Sequence, residues 1–134
     1  TLISPRDHFN LLRPETAESL YFVWMLTRKR KYRDAAWDIF SAFRKHARLE
    51  RGGYASLRNV LEYDPKQPEN QTHSNDMPSY FLAETLKYLF LIFCKRNYVS
   101  WDDWVFNTEA HPLPIVRDGE SVAGQLRRLR FYVR

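Results

Sequence analysis

The sequence has little cysteine and no long apolar run. Its 134 residues contain a single cysteine, Cys94, so no disulfide bond can form within the chain. Cys94 ends the apolar stretch 89–94, which predicts a buried, inert thiol rather than a nucleophile or a metal ligand. No apolar stretch reaches the roughly 18 residues that a membrane-spanning helix requires, so we expect neither such a helix nor a signal peptide in these residues.

Charge gives no clear sign of a nucleic-acid-binding protein. The net charge is +5, but acids are interleaved with lysine and arginine over most of the length. The two densest basic runs, Arg28–Lys31 and Arg127–Arg130, are typical either of a solvated face or of a nucleic-acid patch. No RNA- or DNA-binding signature accompanies them, so we expect no nucleic-acid partner. Aromatic residues are abundant instead, at 16%, which indicates a ligand surface or packing against further protein.

Hydrophobic periodicity predicts three helices and therefore an all-α fold. They span about 14–27, 31–48 and 79–95, with a short extended segment at 54–61 and a polar loop at 62–78 before the last. The expected apolar face of the first comprises Leu20, Val23, Trp24 and Thr27. The second is amphipathic, which predicts a helix on the outside of the fold, paired with the first as an antiparallel hairpin.

The third helix differs in kind, because it is apolar nearly all round. From 80 to 94 its charged residues are Glu84 and Lys87. Such a helix is typical of the interior of a large protein, not of the surface of a small one. A carboxylate there is costly to bury, so Glu84 is expected either to pair with Lys87 or to bind a ligand.

Polar groups also cluster at two other places. Glu15 and Glu18 fall in the first turns of the first helix, where they complement the helix dipole, and Arg13 is either their ion-pair partner or a ligand clamp. The stretch 107–114, Asn-Thr-Glu-Ala-His-Pro-Leu-Pro, has two prolines in its second half. Because of them, that half can neither continue a helix nor form a central strand. It is expected to be a surface turn, or a bend whose oxygens bind a hard cation or a polyhydroxylated ligand.

Asn70 begins a sequon, Asn-Gln-Thr, within the polar loop. It predicts glycosylation at Asn70 if the protein passes through the secretory pathway.

Three segments, taken together and in order, resemble one enzyme family. They are 12–19 (Leu-Arg-Pro-Glu-Thr-Ala-Glu-Ser), 80–88 (Tyr-Phe-Leu-Ala-Glu-Thr-Leu-Lys-Tyr) and 105–112 (Val-Phe-Asn-Thr-Glu-Ala-His-Pro). Over roughly residues 8–116 the chain resembles the last third of the class I α-1,2-mannosidases, glycoside hydrolase family forty-seven. The resemblance implies an (α/α)7 barrel that is incomplete in this chain, with residues 1–116 as the C-terminal part of the catalytic domain and 117–134 as a tail of uncertain structure.

The resemblance also implies an activity and roles for named residues. The activity is calcium-dependent removal of terminal α-1,2-linked mannose from high-mannose N-glycans, with inversion at the anomeric carbon. Glu15 matches the proposed general base, and Thr108 matches the residue that binds Ca²⁺ through its hydroxyl and carbonyl. The acids are expected to be buried around one pocket, whose sugar-binding residues would be Arg13, Glu18, Tyr80, Glu84 and Glu109. Tyr80 stands where the family usually has phenylalanine.

Other functions remain open on sequence grounds. A barrel of seven helix pairs needs on the order of four hundred residues, so the enzyme would need its remaining N-terminal part, which carries the general acid. The alternative is a non-catalytic, mannosidase-like lectin module that binds high-mannose glycans; a third option is a helical interaction protein with a basic tail. For an enzyme we expect the lumen of the endoplasmic reticulum or Golgi, or secretion, with membrane attachment only through an N-terminal anchor outside these residues.

Overall fold

The computed structural model describes residues 4–62, 72–94, 98–119, 121 and 123–124. They belong to two compact units, Thr1–Ile92 and Phe93–Arg134. Asn70 of the predicted sequon lies outside the described residues. The expected domain boundary at residue 116 stays a prediction.

Three helices dominate the first unit, as the periodicity predicted. They are α1 (Glu15–Thr27), α2 (Arg30–Ala42), which continues as a π-helical segment Phe43–Ala47, and α3 (Leu86–Phe93), which follows a π-helical segment Phe81–Thr85. A three-residue 3-10 turn, Pro5–Asp7, precedes them. The expected boundaries of the first two helices are confirmed to within about a residue.

Local chemistry explains where α1 begins and ends. Pro14 lies immediately before the first helical residue, where its missing N–H is not needed, and its carbonyl accepts the Glu18 N–H at 2.8 Å. At the other end Arg28 adopts a left-handed conformation with φ 53°, and its N–H donates to the Trp24 carbonyl. Lys29 then resumes extended backbone, so α2 starts after a two-residue connection and packs against α1.

The side of α1 that is buried is not the apolar face that the periodicity indicates. Ala17 and Tyr21 are its buried residues, whereas Val23 and Trp24 are half-buried and Thr27 is exposed. The ring of Tyr21 packs 5.6 Å from that of Tyr88 in α3, and this contact decides which face is covered. For α2 the amphipathic prediction is confirmed: Ala36, Phe43 and Ala47 are buried, whereas charged residues such as Asp34 and Asp38 are exposed.

The core of the first unit is built around the third helix. Phe81 is fully buried, with the Phe43 ring 5.5 Å away and the Tyr54 ring 4.9 Å away. The segment 54–61 is extended only in part, through isolated bridges at Tyr54 and Leu57. On the other side of the third helix, Leu82 and Phe90 are 58% and 59% exposed. An apolar helix therefore leaves one face largely exposed within the described part of this chain.

The second unit contains a hairpin that the all-α prediction did not include. Strand β1 (Trp104–Phe106) pairs antiparallel with β2 (Pro112–Pro114), with Val105 opposite Leu113. Both prolines thus lie in an edge strand, as their missing N–H groups require, and the exclusion of a central strand is confirmed. Cys94 is half-buried, and burial raises the pKa of its thiol. The described chain is mainly helical, and none of its helices is both long and apolar enough to cross a membrane.

Candidate active site

Arg13 and Glu15 form an exposed ion pair at the start of α1. The guanidinium Nη1 lies 3.7 Å from the Glu15 Oε1, with the two side chains 58% and 65% exposed. An ion pair this exposed contributes about 0–1 kcal/mol to stability, so it does not explain the placement of these groups. Glu15 begins α1, where the positive end of the helix dipole favours a negative charge.

The segment that carries Arg13 is held by the third helix. The Tyr80 hydroxyl donates to the Leu11 carbonyl at 2.8 Å, and the buried Thr85 hydroxyl donates to the Leu12 carbonyl at 2.7 Å. The Arg13 Cζ lies 5.9 Å from the centre of the Tyr80 ring, within cation–π range. Tyr80 therefore contacts Arg13 through its ring and contacts the backbone that leads into Arg13 through its hydroxyl.

Glu18 and Glu84 are both half-buried. The buried Tyr88 places its hydroxyl 3.3 Å from Glu18 Oε1, and burial followed by the Glu18 charge raises the pKa of Tyr88. Tyr88 thus stays protonated and donates to the carboxylate. Glu84 lies on the π-helical segment four residues after Tyr80.

The four acids are not buried in the described part of this chain, so their expected burial around one pocket stays a prediction for the complete barrel. Glu15 and Glu109 are exposed, and Glu18 and Glu84 are only half-buried. The physical reason is that Glu15 lies at the start of a helix and Glu109 at the tip of a hairpin, where each side chain extends beyond the core of its own unit.

Thr108 and Glu109 occupy the loop between β1 and β2 in the second unit. Asn107 closes this loop: its Oδ1 accepts the N–H groups of Glu109 at 3.0 Å and His111 at 2.8 Å. Its own N–H donates to the His111 carbonyl, and its carbonyl accepts the Ala110 N–H. His111 Nδ1 lies 3.7 Å from Glu109 Oε2.

Two oxygens of Thr108 are the groups in this loop whose chemistry fits a calcium ion. Thr108 is exposed, and within the described residues neither its hydroxyl nor its carbonyl oxygen makes a hydrogen bond. Both are neutral oxygen donors of the kind that Ca²⁺ accepts. The described ranges contain no group of three or more His, Cys, Asp or Glu side chains that could hold a metal, so a carboxylate cage of described residues is not available.

A cavity of about 560 Å³ opens beside Arg13 and Thr16 in the first unit. Its walls are mostly apolar and include Phe9, Ile39 and Phe43. Sugar hydroxyls would find few polar partners there, so this cavity suits a protein side chain better than a glycan.

Residues 1–115 match the family described as Glycosyl hydrolase family 47. The chain belongs to this family. It is 51% identical over 114 residues to the endoplasmic reticulum mannosyl-oligosaccharide 1,2-alpha-mannosidase of Homo sapiens, covering 84% of this chain and 16% of that protein. It is 48% identical over 117 residues to a mannosyl-oligosaccharide 1,2-alpha-mannosidase of Arabidopsis thaliana, covering 87% of this chain and 18% of that protein.

A solved structure supports the same assignment. The alpha-1,2-mannosidase from Trichoderma reesei superposes with a TM-score of 0.68 at 38% identity, over 81% of this chain and 22% of that one. The chain therefore spans less than a fifth of the length of these curated relatives and less than a quarter of this structural neighbour.

Sequence reasoning missed three residues that organise the site. Asn10 accepts the Leu12 N–H at 2.9 Å, Asn107 closes the Thr108 loop, and Thr85 holds the Leu12 carbonyl. The two asparagines carry a usable signal, because Asn side chains commonly accept the N–H two residues ahead. Thr85 has no such signal, since its partner lies 73 residues away along the chain.

Proposed function

We propose that this chain is the C-terminal part of the catalytic domain of a calcium-dependent, inverting α-1,2-mannosidase. Its substrate would be the terminal α-1,2-linked mannose of high-mannose N-glycans. The observation that carries this proposal is the match of residues 1–115 to the family, together with relatives at about half identity that are named 1,2-alpha-mannosidases.

Glu15 is the candidate general base. An inverting glycosidase uses two carboxyl groups about 6.5–9.5 Å apart, one protonating the leaving oxygen and the other activating water on the opposite face. Glu15 is exposed at the start of α1 beside the cationic Arg13, so water reaches it and negative charge is favoured there. The general acid would come from protein outside this chain.

The remaining site residues would hold the sugar and the water. Arg13 offers a planar fork of N–H donors for sugar or carboxylate oxygens, and Tyr80 offers an aromatic face beside it. Glu18, Glu84 and Glu109 are acceptors for sugar hydroxyls or for metal-bound waters. Thr108 would hold the Ca²⁺ through its two oxygens, and the ion, when bound, would supply positive charge that orients sugar oxygens and water.

The barrel would be completed by protein beyond these residues. The exposed Leu82 and Phe90 form an apolar face of the third helix that further helices of an (α/α)7 barrel would cover. The apolar cavity beside Arg13 supports the same conclusion. Localisation in the secretory pathway follows from the proposed substrate, and relatives named as endoplasmic reticulum enzymes favour that compartment over the Golgi or secretion.

The test is Glu15→Gln in the full-length protein. It should lower kcat for release of mannose from a high-mannose glycan by roughly 10²–10⁴, while calcium and glycan binding change far less. Glu50→Gln, at an exposed turn position, is the matched control and should retain activity.

Two outcomes would contradict the proposal. A Gln variant within a few-fold of the wild-type kcat would assign the base to another residue. A wild-type protein that binds the glycan but releases no mannose would be the lectin alternative.

A further inference from the structure

The backbone at Leu12 is held in a costly conformation next to the predicted site. Leu12 has φ 59°, and its side chain is fully buried. A non-glycine residue in this region of backbone conformation is strained, and it persists only where its surroundings impose it. Such strain is often found where a functional group must be placed, and the next residue here is Arg13.

Hydrogen bonds from several directions impose this conformation. The Leu12 N–H donates to Asn10 Oδ1 at 2.9 Å, and its carbonyl accepts the Thr85 hydroxyl at 2.7 Å. The Leu11 carbonyl accepts the Tyr80 hydroxyl at 2.8 Å. Asn10 is itself fixed by two backbone hydrogen bonds with Leu57, at 2.8 and 2.7 Å.

The π-helical segment explains how one helix reaches two consecutive carbonyls. Tyr80 and Thr85 are five residues apart, which in a regular α-helix places them about 140° apart around the axis. The Leu86 N–H donates to the Phe81 carbonyl, a hydrogen bond that also joins residues five apart. This wider turn brings Tyr80 and Thr85 toward the same side of the helix, facing Leu11 and Leu12.

We propose that Tyr80 and Thr85 are positioning residues, whose hydroxyls clamp the strained Leu11–Leu12 corner and thereby place Arg13 beside Glu15. The inference rests on the proposed function, because the position of Arg13 matters for activity only if Arg13 binds the sugar. Burial raises the pKa of the Tyr80 hydroxyl, so this group stays a donor at neutral pH. The ring of Tyr80 packs against the Arg13 guanidinium on one side, with its centre 5.9 Å from Cζ. The hydroxyl of Tyr80 holds the backbone that leads into Arg13.

Hydroxyl deletions in the full-length protein test the clamp without substrate. Tyr80→Phe keeps the ring and Thr85→Val keeps the side-chain shape, so each removes one donor and little else. The measurement is amide hydrogen exchange at Leu12, whose own acceptor on Asn10 neither variant touches. We expect exchange at Leu12 to rise by roughly 3- to 10-fold in each. Tyr32→Phe is the matched control, because the Tyr32 hydroxyl has no hydrogen-bond partner in the described chain, and it should leave exchange unchanged.

A double-mutant cycle tests whether the clamp acts through Arg13. Tyr80→Phe should lower kcat/KM by roughly 3- to 10-fold in the wild-type background and have no further effect in an Arg13→Ala background. Equal losses in both backgrounds, or unchanged exchange at Leu12, would overturn the proposal. A wild-type protein that releases no mannose would refute the proposed function instead, and the exchange measurement would then decide the clamp alone.

Discussion

Replacement of Asn107 should open the loop that carries Thr108 and Glu109. In Asn107→Ala the amide groups of Glu109 and His111 lose the Oδ1 that accepts them at 3.0 and 2.8 Å. Nothing else in the described part of the loop replaces two acceptors at once. Ala110, which the closed loop holds at φ 55°, would then be free to relax toward ordinary backbone conformations.

The size of the effect follows from the two lost hydrogen bonds. Each neutral hydrogen bond contributes about 0.5–1.5 kcal/mol net, and these N–H groups lie near the surface, where water replaces part of the loss. A total of about 1–2 kcal/mol corresponds to roughly a 5- to 30-fold shift toward the open loop. If the closed loop presents the Thr108 oxygens to Ca²⁺, calcium affinity in the full-length protein should fall by the same factor.

Hydrogen exchange separates loop opening from the trivial loss of an acceptor. The Asn107 N–H donates to the His111 carbonyl and the Ala110 N–H to the Asn107 carbonyl, and both acceptors survive in Asn107→Ala. Faster exchange at these two amides therefore reports opening of the loop itself. Asn107→Asp keeps an acceptor oxygen and should retain protection, while Thr108→Ala should weaken calcium binding with the loop still closed. Unchanged exchange at Asn107 and Ala110, with unchanged calcium affinity in both Ala variants, would refute this reasoning.

Two further predictions concern stability. Expressed alone, the 134 residues should show no cooperative thermal transition, because Leu82 and Phe90 of the third helix stay exposed; a sharp two-state melt by circular dichroism would contradict this. Burial, followed by the Lys45 charge, lowers the pKa of His46 from 6.5. The neutral imidazole therefore contributes fully to the free energy of unfolding above pH 6.5, and this contribution is lost as the pH falls below that value. His46→Gln should flatten that part of the acid dependence of the unfolding free energy in the full-length protein, and an unchanged slope in this variant would contradict the assignment.

The sequence predicted where helices occur better than which faces they bury. In α2, polar and apolar residues alternate with a helical period, so the buried face could be read directly. In α1 the residues from Leu20 to Leu26 are all apolar, and no period distinguishes one side. The face was decided by Tyr21, which packs against Tyr88 from a helix 67 residues further along, and local pattern cannot contain that information.

The same limit applies to the site. The family resemblance identified Arg13, Glu15 and Thr108 as site residues from short local motifs, which are recognisable without the rest of the domain. The groups that hold them are partly distant: the Tyr80 hydroxyl meets a carbonyl 69 residues away. The β1–β2 hairpin was not predicted because two prolines argue against a strand, and only the edge position in a two-stranded sheet makes them acceptable.

Backbone strain and the predicted site residues coincide in this chain. Among the described residues three non-glycines have positive φ, namely Leu12, Arg28 and Ala110. Arg28 ends a helix, a common place for this conformation, but Leu12 precedes Arg13 and Ala110 follows Glu109, and both are fully buried. Glycine would relieve the strain at either position. It would also increase the number of conformations of the unfolded chain, and so the entropy that folding must overcome. Each corner instead combines a buried side chain with a hydrogen bond from its backbone N–H to Asn10 or Asn107, which favours a single conformation and so the precise placement of Arg13 and Thr108.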